Sequence, residues 1–309
     1  MSTNVTRWTA SLALTATVLL TAGCGAGGGD GADDGRPTVV AGFYPLEWAA
    51  ARVGGERVSV SPLTPAGAEA HDLELTPRDV AAVGSADLLV YLEGFQPALD
   101  EAASSEAGNA AWDAGQAADL VEGEHPEEDG HPHGEDAVDP HFWLDPIRLA
   151  SVGDALAERL GELDPDGASV YEENAAALRA DLEALDAEME AGLATCAVDT
   201  LVTSHDAFGY LAERYGLDVV GISGLSPSQE PSAAGLAEIT GLVRDRGITT
   251  VYTETLVDPA VAETVAEEAG VQTAVLDPLE GLTEESDGED YLQVMRSNLA
   301  TLQEGQSCS

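Results

Sequence analysis

Twice along this chain a short apolar run passes into an amphipathic stretch and back again, and that alternation narrows the choice of fold more than any other feature. From Pro37, TVVAGFYP reads as a strand entering a turn and SVSPL as a second strand. TPRDVAAVGSA reads as a short helix opened by Thr76 with Pro77 at its first position, and DLLVYLEG as a strand apolar enough to be buried on both faces. The pattern resumes at Thr200, where TLVTSH, AFGYLAERYG, LDVVGI, PSAAGLAEITGLVRDRG, ITTVYTE, DPAVAETVAEEAG and VQTAVLD alternate strand with helix. Such alternation predicts parallel βαβ units with helices covering both faces of a sheet. Between the halves Tyr171, Ala175, Leu178, Leu182, Leu185 and Met189 recur at steps of four and three, which predicts a helix of about 24 residues reaching about 36 Å. A final amphipathic helix carries Tyr291, Met295, Leu299 and Leu302. The expected class is therefore α/β, with two parallel-sheet lobes over 37–165 and 195–309 joined by a connecting helix over 166–194.

Residues 1–23 read as an export signal. Arg7 supplies the positive start, and the apolar stretch from Trp8 to Leu20 is too short to span a bilayer comfortably. It ends in LLTAGC, small residues directly before Cys24, the pattern of a bacterial lipobox in which that cysteine is lipidated. Residues 24–36, with their run GAGGGDGADDG, can bury nothing and read as a flexible tether. The mature protein is expected outside the cytoplasmic membrane and lipid-anchored to its outer face. Cys196 and Cys308 then remain as an even pair in an oxidising compartment. A bridge between them is the expectation, and two buried unpaired thiols the alternative.

Charge removes several function classes. Twelve arginines, no lysine and 57 acidic residues leave a formal charge of −45. Holding a phosphate backbone needs a basic stripe, so nucleic acid and anionic membrane surfaces are poor partners. A hydrophobic content of 44% still suffices for a core. A solvated acidic coat accounts for the charge; it permits a cation ligand without identifying one.

Histidine is more informative. Three of the six, His125, His131 and His133, fall in residues 122–136 among seven acidic residues, with Pro and Gly breaking every period. That composition fits an exposed loop able to capture a borderline metal such as zinc transiently. The other three are isolated. His71 follows the strand SVSPL, His141 directly precedes a helix in VDPHFWLDP, and His205 ends TLVTSH, while Asp277 ends VQTAVLD. In open parallel sheets ligands bind beyond the carboxyl ends of strands, and three of these four residues lie there. Three neutral imidazoles and one carboxylate make a four-coordinate zinc set.

The runs PAGAEAHDLELTPRD, VDPHFWLDP, VTSHDAFGYLAERYGL, GLSPSQEPS and AVLDPLEGL together give the chain a specific resemblance. It resembles the metal-binding family of ABC-transporter solute-binding proteins, the cluster A-I group that includes the ZnuA-like zinc lipoproteins, over nearly all of its length from Pro37. The resemblance implies two α/β lobes joined by one rigid helix, with the metal held between them. It places His71 and His141 at the ligand positions of the first lobe, and His205 and Asp277 at those of the second. Manganese-selective relatives often carry Glu where His205 stands. Here Ala70 precedes His71 and Glu69 lies one further back, so the fourth ligand stays open between Asp277, water and Glu69.

The resemblance implies a monomeric protein that captures Zn²⁺ and delivers it to an ABC permease in the cytoplasmic membrane. A manganese- or iron-binding importer subunit and a metal-dependent surface adhesin are the alternatives. A zinc hydrolase is the competing class, but no HExxH-type helix supplies a general base, and the chain is not expected to be an enzyme.

Overall fold

The computed structural model describes residues 35–121, 138–229 and 231–309, and Arg36–Ser309 form one compact unit. The export signal, Cys24, the tether up to residue 34 and the loop histidines His125, His131 and His133 lie outside the described residues.

The first half runs β1 (Thr38–Ala41), α1 (Tyr44–Gly54), β2 (Ser59–Pro62), α2 (Pro77–Ser85), β3 (Leu88–Tyr91), α3 (Pro97–Ala102), β4 (Ala111–Asp113) and α4 (Gly115–Ala118). Its sheet has the order β2-β1-β3-β4, every pair parallel, with Val39 opposite both Val60 and Leu88. Two long helices follow, α5 (Pro146–Leu163) and α6 (Ala168–Leu193). The second half repeats the plan with β5 (Thr200–Thr203), α7 (Gly209–Tyr215), β6 (Asp218–Gly221), α8 (Ala233–Asp245), β7 (Thr250–Thr253), α9 (Ala260–Ala269), β8 (Gln272–Val275) and α10 (Tyr291–Gly305). Its order is β6-β5-β7-β8, again all parallel. Two parallel-sheet lobes and the long helix α6 are what the sequence pattern predicted; α5, at 18 residues, is a second long helix that it did not mark out. Strand β4 escaped that reading because the three residues AWD are too few to display a period.

Local chemistry explains where elements begin. Thr76 and Asp79 form a reciprocal capping box at α2, with Pro77 where its missing N–H costs nothing. Asp145, Ser232 and Asp290 cap α5, α8 and α10 through their side-chain oxygens. In α6 the buried residues are Tyr171, Ala175, Leu178, Leu182, Leu185, Met189 and Leu193, the single stripe that the sequence spacing marks out. The charged face of α6 meets an arginine from several neighbours: Asp181 pairs with Arg52 of α1, Asp186 with Arg214 of α7, and Glu188 with Arg296 of α10. Such partly exposed pairs each contribute little to stability, but they orient three helices about one axis.

The halves are also joined directly. Trp48 of α1 stacks on Tyr291 of α10 at 4.8 Å. The Trp143 indole donates to the Pro278 carbonyl at 2.8 Å, and the Tyr210 hydroxyl donates to the Asp139 carbonyl at 2.9 Å. The expected disulfide is present between Cys196 and Cys308, closing a separation of 112 residues.

Candidate metal centre

The carboxyl ends of the two sheets face a common cleft, and the isolated histidines meet there. His205 lies two residues beyond β5, His71 sits in the turn-rich segment after β2, and His141 directly precedes the short 3₁₀ turn Phe142–Leu144 that leads into α5. His71, His141, His205 and Glu280 present ligand atoms that all lie within 4.8 Å of one another. The expectation that Asp277 supplies the carboxylate is corrected here. Its oxygens are engaged elsewhere, accepting from the Leu279 N–H at 2.8 Å and the Ser286 hydroxyl at 2.7 Å. Glu69, the other candidate carboxylate, accepts from the His71 backbone N–H at 2.8 Å and is not in the cluster either.

Glu280 occupies the centre. Its Oε1 lies 3.4 Å from Nε2 of His71, 3.4 Å from Nε2 of His141 and 3.1 Å from Nε2 of His205. That oxygen is buried and makes no properly directed hydrogen bond. An orphaned anionic oxygen is costly in a protein interior, and one ringed by three imidazole nitrogens has the donor set of a tetrahedral zinc site. Nothing local in the sequence set Glu280 apart from the other acidic residues, several of which are buried as well.

Two of the imidazoles are held from behind by carboxylates. Asp139 accepts from both the backbone N–H of His141 at 2.9 Å and its Nδ1 at 2.7 Å. Glu254, at the end of β7, accepts from the His205 N–H at 3.0 Å and from its Nδ1 at 2.5 Å. Each carboxylate requires the proton on Nδ1, which turns the Nε2 lone pair toward the cluster. Sequence reasoning missed both, because nothing local distinguishes them from the other acidic residues. Phe95 meets His71 edge-on at 4.6 Å and Trp143 meets His141 at 5.2 Å, so aromatic rings line the cluster alongside these carboxylates.

The electrostatics follow from this packing. Burial depresses His71 and outweighs the pull of Glu280. Burial also opposes charge on His205, but the Glu254 carboxylate prevails and raises it well above 6.5. His141 is likewise raised against its burial, by Asp139 and then Glu280. Burial works to raise Glu280 too, yet the three histidines hold it well below the ordinary carboxylate range. Glu69 is pushed up to about 8 by burial and by the nearby charge of Glu280, so at neutral pH it adds little negative charge to the centre.

With that geometry established, similarity to known proteins becomes informative. The family described as "Zinc-uptake complex component A periplasmic" matches residues 39–305. The zinc-binding lipoprotein AdcA of Streptococcus pneumoniae is 40% identical over 281 residues, 88% of this chain and 56% of that protein. The chain thus spans only about half the length of that relative. The high-affinity zinc uptake system protein ZnuA of Bacillus subtilis is 35% identical over 312 residues, 96% of this chain and 97% of that protein. Among solved structures, the Zn(II)-bound ZnuA-like domain of S. pneumoniae AdcA superposes with a TM-score of 0.72 at 36% identity, covering 88% of this chain and 99% of that domain.

Proposed function

Since this chain belongs to the ZnuA family of zinc-uptake components, we propose that it binds Zn²⁺ outside the cytoplasmic membrane and hands it to an ABC-type importer. The observation that carries this reading is the convergence of His71, His141, His205 and Glu280 within 4.8 Å, in a cleft between two lobes. Three imidazoles and one carboxylate suit zinc better than manganese, which favours more oxygen ligands. A fourth protein ligand closes the coordination sphere, which favours carriage of the ion over activation of water, since a catalytic zinc keeps a position open. Among the described residues no helix is long and apolar enough to cross a membrane. Attachment to the outer face of the membrane is assigned to a lipid on Cys24, and the protein acts as a monomer. His125, His131 and His133 collect zinc and pass it to the buried centre.

The test is metal competition on the metal-stripped protein, titrating zinc and manganese into wild type, His205→Ala and a deletion of 122–136. Zinc should bind one-to-one and in preference to manganese. His205→Ala should weaken it by more than the roughly 10–100-fold typical of losing an outer contact to a metal ligand. The deletion should slow loading without loosening the buried site. Preference for manganese, or indifference to His205→Ala, would overturn the assignment, and an unchanged loading rate would remove the loop from it.

A further inference from the structure

The turn that delivers Glu280 is held in an unfavourable backbone conformation by residues outside the four-residue cluster. Leu279, directly before Glu280, has φ = 60° and is fully buried. A bulky side chain in the left-handed region needs a surrounding that imposes it. Asp277 supplies that restraint. Its Oδ1 accepts from the Leu279 N–H at 2.8 Å, an Asx-type turn across two residues. Its Oδ2 is anchored by the Ser286 hydroxyl at 2.7 Å. The main chain of Asp277 is fixed as well, its N–H donating to Asn298 Oδ1 at 3.0 Å and its carbonyl accepting from Asn298 Nδ2 at 2.7 Å. Trp143 then grips the Pro278 carbonyl from the first lobe at 2.8 Å.

We propose that Asp277 is the positioning residue for Glu280: by bonding the Leu279 N–H it holds the left-handed turn that aims the Glu280 carboxylate at the three imidazoles. The inference rests on the zinc reading above and deepens it, because it assigns the carboxylate just beyond β8 a role in presenting a ligand. Without the Asx bond, Leu279 relaxes toward ordinary negative φ. The peptide after it rotates, and Glu280 swings away from Nε2 of His205. Ser286 and Asn298 lie outside the cluster and bond the turn through Asp277.

A double-mutant cycle tests this. Zinc dissociation constants are measured by chelator competition on wild type, Asp277→Ala, Asp277→Asn, Ser286→Ala, Glu280→Gln, and the Ala variants combined with Glu280→Gln. Cobalt(II) visible spectra of the same proteins report whether a carboxylate remains bound. Asp277→Ala should weaken zinc about 10–100-fold, the usual cost of losing an outer contact to a metal ligand, and its cobalt spectrum should approach that of Glu280→Gln. Asp277→Asn keeps an acceptor for the Leu279 N–H and should stay close to wild type. In the Glu280→Gln background Asp277→Ala should cause no further loss, since coupled residues are not additive. Full additivity, or a wild-type constant for Asp277→Ala while Glu280→Gln weakens binding, overturns the proposal. If Asp277→Ala does not fold, Ser286→Ala carries the cycle. Its smaller loss must likewise vanish on Glu280→Gln, and additivity there overturns the proposal equally. A Glu280→Gln protein that binds zinc normally defeats the ligand reading itself, and the positioning role with it.

Discussion

At the scale of single residues, the centre depends on which atoms the protons occupy. His205 is held well above 6.5 by Glu254 in the metal-free protein, whereas ligation requires its Nε2 to be bare. On the proposed zinc reading the ion displaces a proton there, and apparent affinity should fall on acidification by about tenfold per pH unit for each proton displaced. Calorimetry in buffers of different ionisation enthalpy counts those protons; a buffer-independent heat would contradict the protonation assigned to His205. The sign for folding is opposite. A histidine with a raised native pKa contributes stability that is fully present below its ordinary value and lost as pH rises through the raised one. The melting temperature of the metal-free protein should accordingly decline as pH rises through that window, while that of the zinc-loaded protein does not. Residue identity was legible in part. The three histidines stood out because the chain has so few and because each lies at a strand or helix junction. Glu280 did not, since it lies five residues beyond the end of β8, on the far side of a reversal that no periodicity reports.

At the scale of elements, α6 and the disulfide have separable roles. The stripe from Tyr171 to Met189 was readable because one buried face on a helix imposes its period on the sequence. The short α3 and α4 were not, being six and four residues long. The disulfide ties the chain ahead of β5 to the end of α10. His205 lies beyond the opposite, carboxyl end of that strand. Opening a loop of 112 residues should lower stability by about 4–5 kcal/mol on chain-entropy grounds, with zinc affinity unchanged. Thermal melts and zinc titrations with and without reductant check this. Loss of zinc binding in the reduced but still folded protein would show that the bridge positions the site as well.

At the scale of the whole molecule, a charge of −45 surrounds a proposed metal centre whose four residues are nearly all enclosed. Repulsion among surface carboxylates opposes compactness and is screened beyond about 8 Å at physiological ionic strength. Raising salt from low to physiological levels should thus raise the melting temperature of the metal-free protein, a trend that differential scanning calorimetry would show directly. A flat response would mean that the arginine pairs along α6 already neutralise the field locally. Sequence alone determined the class of fold, the paired cysteines and the three histidines, because these depend on local period, compartment and residue type. Tertiary structure alone brought Glu280 to the imidazoles. Glu280 reaches the imidazoles only because Leu279 turns left-handed, Asp277 bonds its N–H, and Trp143 crosses from the other lobe to hold Pro278. Those contacts join residues as much as 135 positions apart, and a linear pattern carries no record of such a meeting until the chain has folded.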